Sequence, residues 1–171
     1  MSEAEKTMIP ADDLARSLVV KDVETAMHLG LVGDTYTVLL RGEDTAGRHC
    51  LIDMYVPPGG GPPPHRHDFE ESFTLLEGEL EFTFRGEKQR ARAGVTVHVP
   101  ANAPHMFRNV GDGPARMLCI CSPAGQEGLF EAVGVKVGGR TEAPPKLSEA
   151  EMKAVGEKAV ALAAEYKTEM L

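Results

Sequence analysis

No stretch of this chain gathers its lysines and arginines into a basic patch; Lys and Arg total 18 against 26 Asp and Glu, for a formal net charge of −8. A nucleic-acid-binding face needs such a patch, so no nucleic-acid partner is expected. Long apolar runs are missing too. Met117–Cys121 is among the longest, far short of the roughly 20 residues that cross a bilayer as a helix, and no membrane partner is expected. The first residues, Met1-Ser2-Glu3-Ala4-Glu5-Lys6, have neither the basic start nor the apolar stretch of a secretory leader, which points to the cytoplasm. Cysteine is scarce: Cys50, Cys119 and Cys121 are odd in number and lack CxxC spacing. Neither a disulfide framework nor a zinc ribbon follows, and the three are expected to act as small apolar residues, with a redox pair at Cys119 and Cys121 as the alternative. There is no internal repeat.

At 171 residues the chain is long enough for one core that buries roughly 70% of the unfolded surface. Residues 1–30 read as an N-terminal segment, partly disordered or wrapping the rest, with one short helix after Pro10 that carries Leu14 and Leu18. From Tyr36 the pattern becomes short strands divided by turn residues, the mark of an antiparallel sandwich or barrel over residues 31–124. Tyr36–Leu40, His49–Val56, Ser72–Leu76, Val95–Val99, Met106–Val110 and Arg116–Cys121 are the expected strands. Leu80, Phe82 and Phe84 alternate with polar residues in a further strand, joined to the one before by a hairpin at Glu77-Gly78. Residues 125–146 hold a short capping helix, Gln126–Val133, and a linker. In residues 147–171, Ser148 and Glu151 form a capping box and Leu147 with Met152 a hydrophobic staple, so a helix is expected over Glu149–Tyr166. Its stripe of Met152, Val155, Ala159, Leu162 and Tyr166 should pack on the barrel or on a second subunit.

His65 and His67 are two apart, so on a strand they share a face, and Glu71 keeps that parity if no bulge intervenes. His105 must come from another strand, and a closed barrel is the simplest way to bring it alongside. Three imidazoles and one carboxylate suit one divalent transition metal, Fe, Mn, Ni, Co, Zn or Cu. With no thiolate in the set, a purely structural zinc site is not favoured. Glu70 should point the opposite way from Glu71, and His98, His49 and His28 belong to no spaced set. The inward parity of Phe73, Phe82 and Phe107 makes them candidate walls of an apolar pocket for a small-molecule substrate.

Gly59, His65, His67, Glu71 and Gly78, followed by Gly94, Pro100, Ala101, Asn102, His105 and Asn109, resemble the two-part signature of the cupin superfamily. Asn102 stands where that family usually has glycine; asparagine tolerates the positive φ such a turn needs, so the turn is expected to persist. With Gly42–Thr45, Pro62–Pro64, Glu70–Phe73 and Pro123–Gly125, residues 36–134 are similar to single-domain bacterial cupins of the quercetin 2,3-dioxygenase-like group. The resemblance implies an all-β double-stranded β-helix, a jelly-roll barrel with the C-terminal α-helix appended. It further implies a metal held by His65, His67, Glu71 and His105, dioxygen as co-substrate, and pairing into a homodimer. Glu71 would be ligand and acceptor of the substrate's proton.

Three functions stay open on the sequence: a metal-dependent dioxygenase-like enzyme for a small enolisable or aromatic substrate, a non-oxidative isomerase or decarboxylase, and a non-catalytic small-molecule-binding cupin.

Overall fold

Short alternations of apolar and polar residues closed by glycine and proline turns give strands rather than helices here. The computed structural model describes residues 9–171. Its elements are β1 Met27–Leu31, β2 Asp34–Leu40, β3 Cys50–Val56, β4 His65–His67, β5 Glu70–Glu77, β6 Glu79–Phe84, β7 Glu87–Arg92, β8 Thr96–Val99, β9 His105–Arg108, β10 Ala115–Ser122, α1 Gln126–Val133, β11 Val135–Lys136, α2 Glu149–Ala163 and β12 Thr168–Met170. A seven-stranded sheet runs β11-β1-β2-β3-β10-β5-β8 and a five-stranded sheet β12-β4-β9-β6-β7. All pairings are antiparallel. The chain is thus the all-β jelly roll with a C-terminal helix that the resemblance implies.

Most strands turn one face to the core. On β10, Ala115, Met117, Cys119 and Cys121 are buried while the residues between them turn outward. Phe73 of β5 meets Phe82 of β6 and Phe107 of β9, with ring centroids 5.4 and 5.5 Å away and the latter two 5.8 Å from each other. These tilted and edge-on contacts add to the burial of three large rings.

Between Glu77 and Gly78 the expected hairpin is not formed: β5 lies in the seven-stranded sheet and β6 in the other, so the chain crosses from one sheet to the other there. Gly78, at φ 73°, makes the crossing under Pro114, whose carbonyl oxygen a Cβ would strike. The true hairpin joins β6 to β7 through Arg85 and Gly86, both at positive φ, with Phe84 directly opposite Glu87. Sequence patterning misses β7, Glu-Lys-Gln-Arg-Ala-Arg, because it is an edge strand with only Ala91 buried. Its charges are what keep a free edge from pairing with other chains.

The proline-rich rim before β4 is stitched to β9. Gly59 donates its amide to the Asn109 carbonyl at 2.8 Å, and the Asn109 amide donates back to Gly60 at 2.9 Å. The Asn109 side chain donates to Val56 and Gly113 and accepts from the Gly111 amide. Gly61, at φ 127°, passes so close to Phe107 that a Cβ would collide with its carbonyl oxygen. Gly61→Ala should therefore cost about 2 kcal/mol or more in urea unfolding; a loss under about 0.5 kcal/mol would mean the rim shifts freely.

Helix α1 spans the expected residues. Helix α2 starts at the expected capping box, with Ser148 and Glu151 exchanging hydrogen bonds, but ends at Ala163 rather than Tyr166. The chain must leave the helix axis there: it turns through Lys167 at φ 53° and adds β12 to the edge of β4. The helix expected after Pro10 is absent. Asp13 instead caps a single turn, and Leu14 and Leu18 stay exposed, with no surface to bury that would stabilise so short a helix. Residues 1–8 of the N-terminal segment lie outside the described residues, and Met27–Leu31 at its end already form a strand. No helix among the described residues is long and apolar enough to cross a membrane.

Candidate metal centre and cavity

The structure brings His65, His67, Glu71 and His105 together, all four buried, with one potential ligand atom from each within 4.8 Å of the others. Parity places them as expected, yet not along one strand. β4 and β5 belong to different sheets, and the chain bends between them at Asp68 and Phe69. His65 stands directly opposite His105 across the β4–β9 pair. Glu71 faces them from the other sheet, so the four donors close the gap between the two layers.

Each imidazole is oriented by a backbone carbonyl near it in sequence. Nδ1 of His65 lies 2.9 Å from the Pro63 oxygen, that of His67 3.1 Å from Phe69, and that of His105 2.9 Å from Ala103. A carbonyl only accepts, so each Nδ1 carries the proton and each Nε2 presents a lone pair. Nε2 of His67 and of His105 stand 2.8 and 3.1 Å from the same Glu71 oxygen. Lone pairs of imidazole and carboxylate repel at that distance unless a cation lies between them. A proton on one ring relieves one such pair; a divalent metal relieves the set, and ligands bonded at about 2.0–2.2 Å stand roughly 3–4 Å apart. The residues present therefore fit a bound metal. Such an ion would act as a Lewis acid toward a substrate oxygen.

The electrostatics agree. Burial pushes the Glu71 carboxyl up, but where a proton sits on His105 or His67 in place of a metal its attraction outweighs burial and holds the group well below the usual carboxylate range, as a cation between them would. Burial, then the neighbouring His105, lowers His65 to about 4. Both groups are thus in their metal-binding forms at neutral pH.

Sequence reasoning missed several supports. Phe69 stacks flat on the His67 ring, centroids 3.8 Å apart. The Cys119 thiol donates to the second Glu71 oxygen at 3.1 Å, with Cys121 at 3.6 Å. Strand β12 pairs Thr168 with His67 and Met170 with His65. A three-residue strand leaves no periodic trace, so no sequence signal existed for it. Among the histidines outside the set, His98 is exposed and pairs with Ser72 and Glu70, and His28 bonds Thr37 in the core. Asn102 takes up φ 66°, donates its amide to the His67 carbonyl at 2.7 Å and its side chain to Asp68 at 3.1 Å. Asn102→Gly removes only the exposed side-chain bond and relieves the positive φ, so stability should change by less than about 1 kcal/mol. Metal content should be unchanged; a large loss of either would give the amide a larger role.

His65 and Glu71 open onto a cavity of about 300 Å³. Phe73 and Phe107 line it; Phe82 is not among the lining residues and packs behind both rings. The apolar stripe of α2 faces this cavity through Met152, Val155 and Ala159, and α1 contributes Leu129 and Phe130. The stripe thus packs toward the barrel, although Met152 stays 43% exposed.

Comparison with known proteins gives the class. The Cupin domain family matches residues 52–121. The polyketide synthase CurC of Streptomyces cyaneus is 34% identical over 109 residues, covering 63% of this chain and 70% of that protein. The chain belongs to the cupin superfamily. It is also 27% identical over 106 residues to quercetin 2,3-dioxygenase of Bacillus subtilis strain 168, covering 61% of this chain and 31% of that protein. Of two further curated relatives the chain spans 62% and 24% of the length. In fold it is similar to the polyketide cyclase RemF of Streptomyces resistomycificus, with a TM-score of 0.55, 22% identity, and 81% of this chain and 94% of that one covered.

Proposed function

We propose that this cupin is a metal-dependent, dioxygenase-like enzyme that acts on a small enolisable or aromatic substrate bound in the cavity. The observation that carries the reading is the convergence of three Nε2 lone pairs and one buried carboxylate at the wall of an apolar space of about 300 Å³. His65, His67 and His105 hold the metal; Glu71 is ligand and proton acceptor; Phe73 and Phe107 flank the substrate. Likeness to quercetin 2,3-dioxygenase supports an aromatic, oxygen-dependent reaction. Dioxygen as co-substrate, pairing of two copies and a cytoplasmic location belong to the same proposal.

A second reading is favoured by one finding, the higher identity to a polyketide synthase, 34% against 27%. Polyketone chains are enolisable, and the same residues can take a proton next to a carbonyl without any oxidation. The two readings separate in one experiment. Protein purified without added metal is assayed for metal content, then loaded with Fe, Mn, Co, Ni, Zn or Cu and tested in an oxygen electrode against flavonols. Oxygen uptake by at least one form supports the dioxygenase-like reading, and none with any pairing sinks it in favour of the non-oxidative one. In either case Glu71→Gln should keep appreciable metal and lose turnover; unchanged turnover would remove the proton-acceptor role.

A further inference from the structure

We propose that Cys119 is a positioning residue of the metal centre: its thiol holds Oε1 of Glu71 on the side of the sheet, so that the carboxylate presents Oε2 alone to the histidines. The inference rests on the reading of His65, His67, Glu71 and His105 as metal ligands and names the group that decides how one of them binds.

The two oxygens of Glu71 keep different company. Oε2 lies 2.8 Å from Nε2 of His67 and 3.1 Å from Nε2 of His105. Oε1 has sulfur for partners, Cys119 Sγ at 3.1 Å and Cys121 Sγ at 3.6 Å, and no N–H or O–H among the described residues donates to it. A thiol is a weak donor, and a buried carboxylate oxygen satisfied by thiols alone is uncommon.

The strand register explains the contact. In the β5–β10 pair Cys121 stands directly opposite Glu71, and Cys119 opposite Phe73. Glu71 therefore leans along the sheet, past its direct partner, to the thiol at the diagonal position, a distance that a long side chain spans. The sulfur it meets is fixed. β10 lies inside the sheet, with Cys119 opposite Ile52 on one side and Phe73 on the other, and the residue is 0% exposed. Its other polar neighbour is the Cys121 sulfur at 3.7 Å, a poorer acceptor than a carboxylate. Burial and then the nearby Glu71 charge push the Cys119 thiol up to about 12, so it stays an S–H donor.

A carboxylate can bind a metal through one oxygen or through both. With Oε1 tied to β10, Glu71 is set to bind through Oε2, which keeps a coordination position for a substrate oxygen.

The probe is Co(II) alone, titrated into metal-free protein and read by its visible absorption bands, which follow the number and arrangement of the donors. Cys119→Ala should bind Co(II) about tenfold more weakly than wild type, as expected when a ligand loses its outer hydrogen bond, and its bands should be displaced. Cys119→Val, a second variant without a donor, fills the space of the thiol and should behave as Cys119→Ala does. Cys119→Ser keeps a donor and should restore the wild-type spectrum and most of the affinity. A thiol that only packs gives the reverse order, with valine near wild type and serine, a hydroxyl in an apolar core, the most damaging. That order overturns the inference, as does a wild-type spectrum and affinity in both donor-free variants; either result leaves the metal centre standing. Wild-type protein that takes up no Co(II) overturns the metal centre and this inference with it.

Discussion

Replacing His105 by alanine should weaken divalent-metal binding by more than the roughly 100-fold that marks the upper end for losing an outer hydrogen bond to a ligand. His105 is the one donor brought in by β9, directly opposite His65, and its Nε2 shares a Glu71 oxygen with His67. Without it, three donors remain, and Glu71 loses a neighbour that helps keep its carboxyl low. The consequence is measurable in two ways. Metal content after purification should fall from near one per chain toward zero. Wild-type protein should also gain thermal stability from added metal, about 4 kcal/mol at a thousandfold excess over the dissociation constant, and the variant should gain little at the same concentration. Equal stabilisation of the two proteins would remove His105 from the ligand set.

The second large effect is a pH dependence of stability that belongs to Asp34. Folding raises its carboxyl from the ordinary 3.8 to about 7, chiefly through burial. The folded state therefore binds that proton more tightly than the unfolded chain, and the sign follows. Below about pH 4 the carboxyl is neutral in both states and costs nothing. As pH rises through about 7, the unfolded chain has already ionised while the folded one must ionise in place, and stability is lost. At about 1.4 kcal/mol for each factor of ten in proton affinity, the loss attributable to this group reaches about 4 kcal/mol. Asp34→Asn has no such charge. Urea unfolding of metal-free protein at pH 4.5 and pH 8 should show the variant gaining several kcal/mol relative to wild type over that interval. His65, lowered to about 4, works in the opposite direction, since the unfolded chain takes up its proton first as pH falls below 6.5. Its contribution is common to both proteins and cancels in the difference. A constant difference between variant and wild type across the range would show that Asp34 is charged at little cost.

Much of the centre is legible in the order of residues. His65 and His67 share a face because side chains alternate along any strand, whatever sheet the strand joins. The glycines that flank them mark turns, and Ser148 with Glu151 fixes the start of α2 because capping is a contact between residues three apart. Such signals are local and survive any rearrangement of the rest. The helix expected from Leu14 and Leu18 failed for the complementary reason: apolar spacing promises a helix only if a surface exists to cover the stripe. The hairpin at Gly78 failed because a turn residue marks where a chain bends, not which strand it pairs with afterwards.

What the sequence by itself determined, then, is a set of four ligand-type side chains, the turns around them, a strand-rich middle and a capped helix near the end. Each depends on bond geometry and on neighbours within a few residues. Tertiary structure alone decided that Glu71 faces the histidines from the opposite sheet, that β12 closes the edge of β4, that α2 lines the cavity, and that Asp34 is buried with one oxygen unpartnered. Those facts depend on which strands pair and on which carboxyl is cut off from water. Both are set by how the two sheets close over one another rather than by any stretch of chain alone.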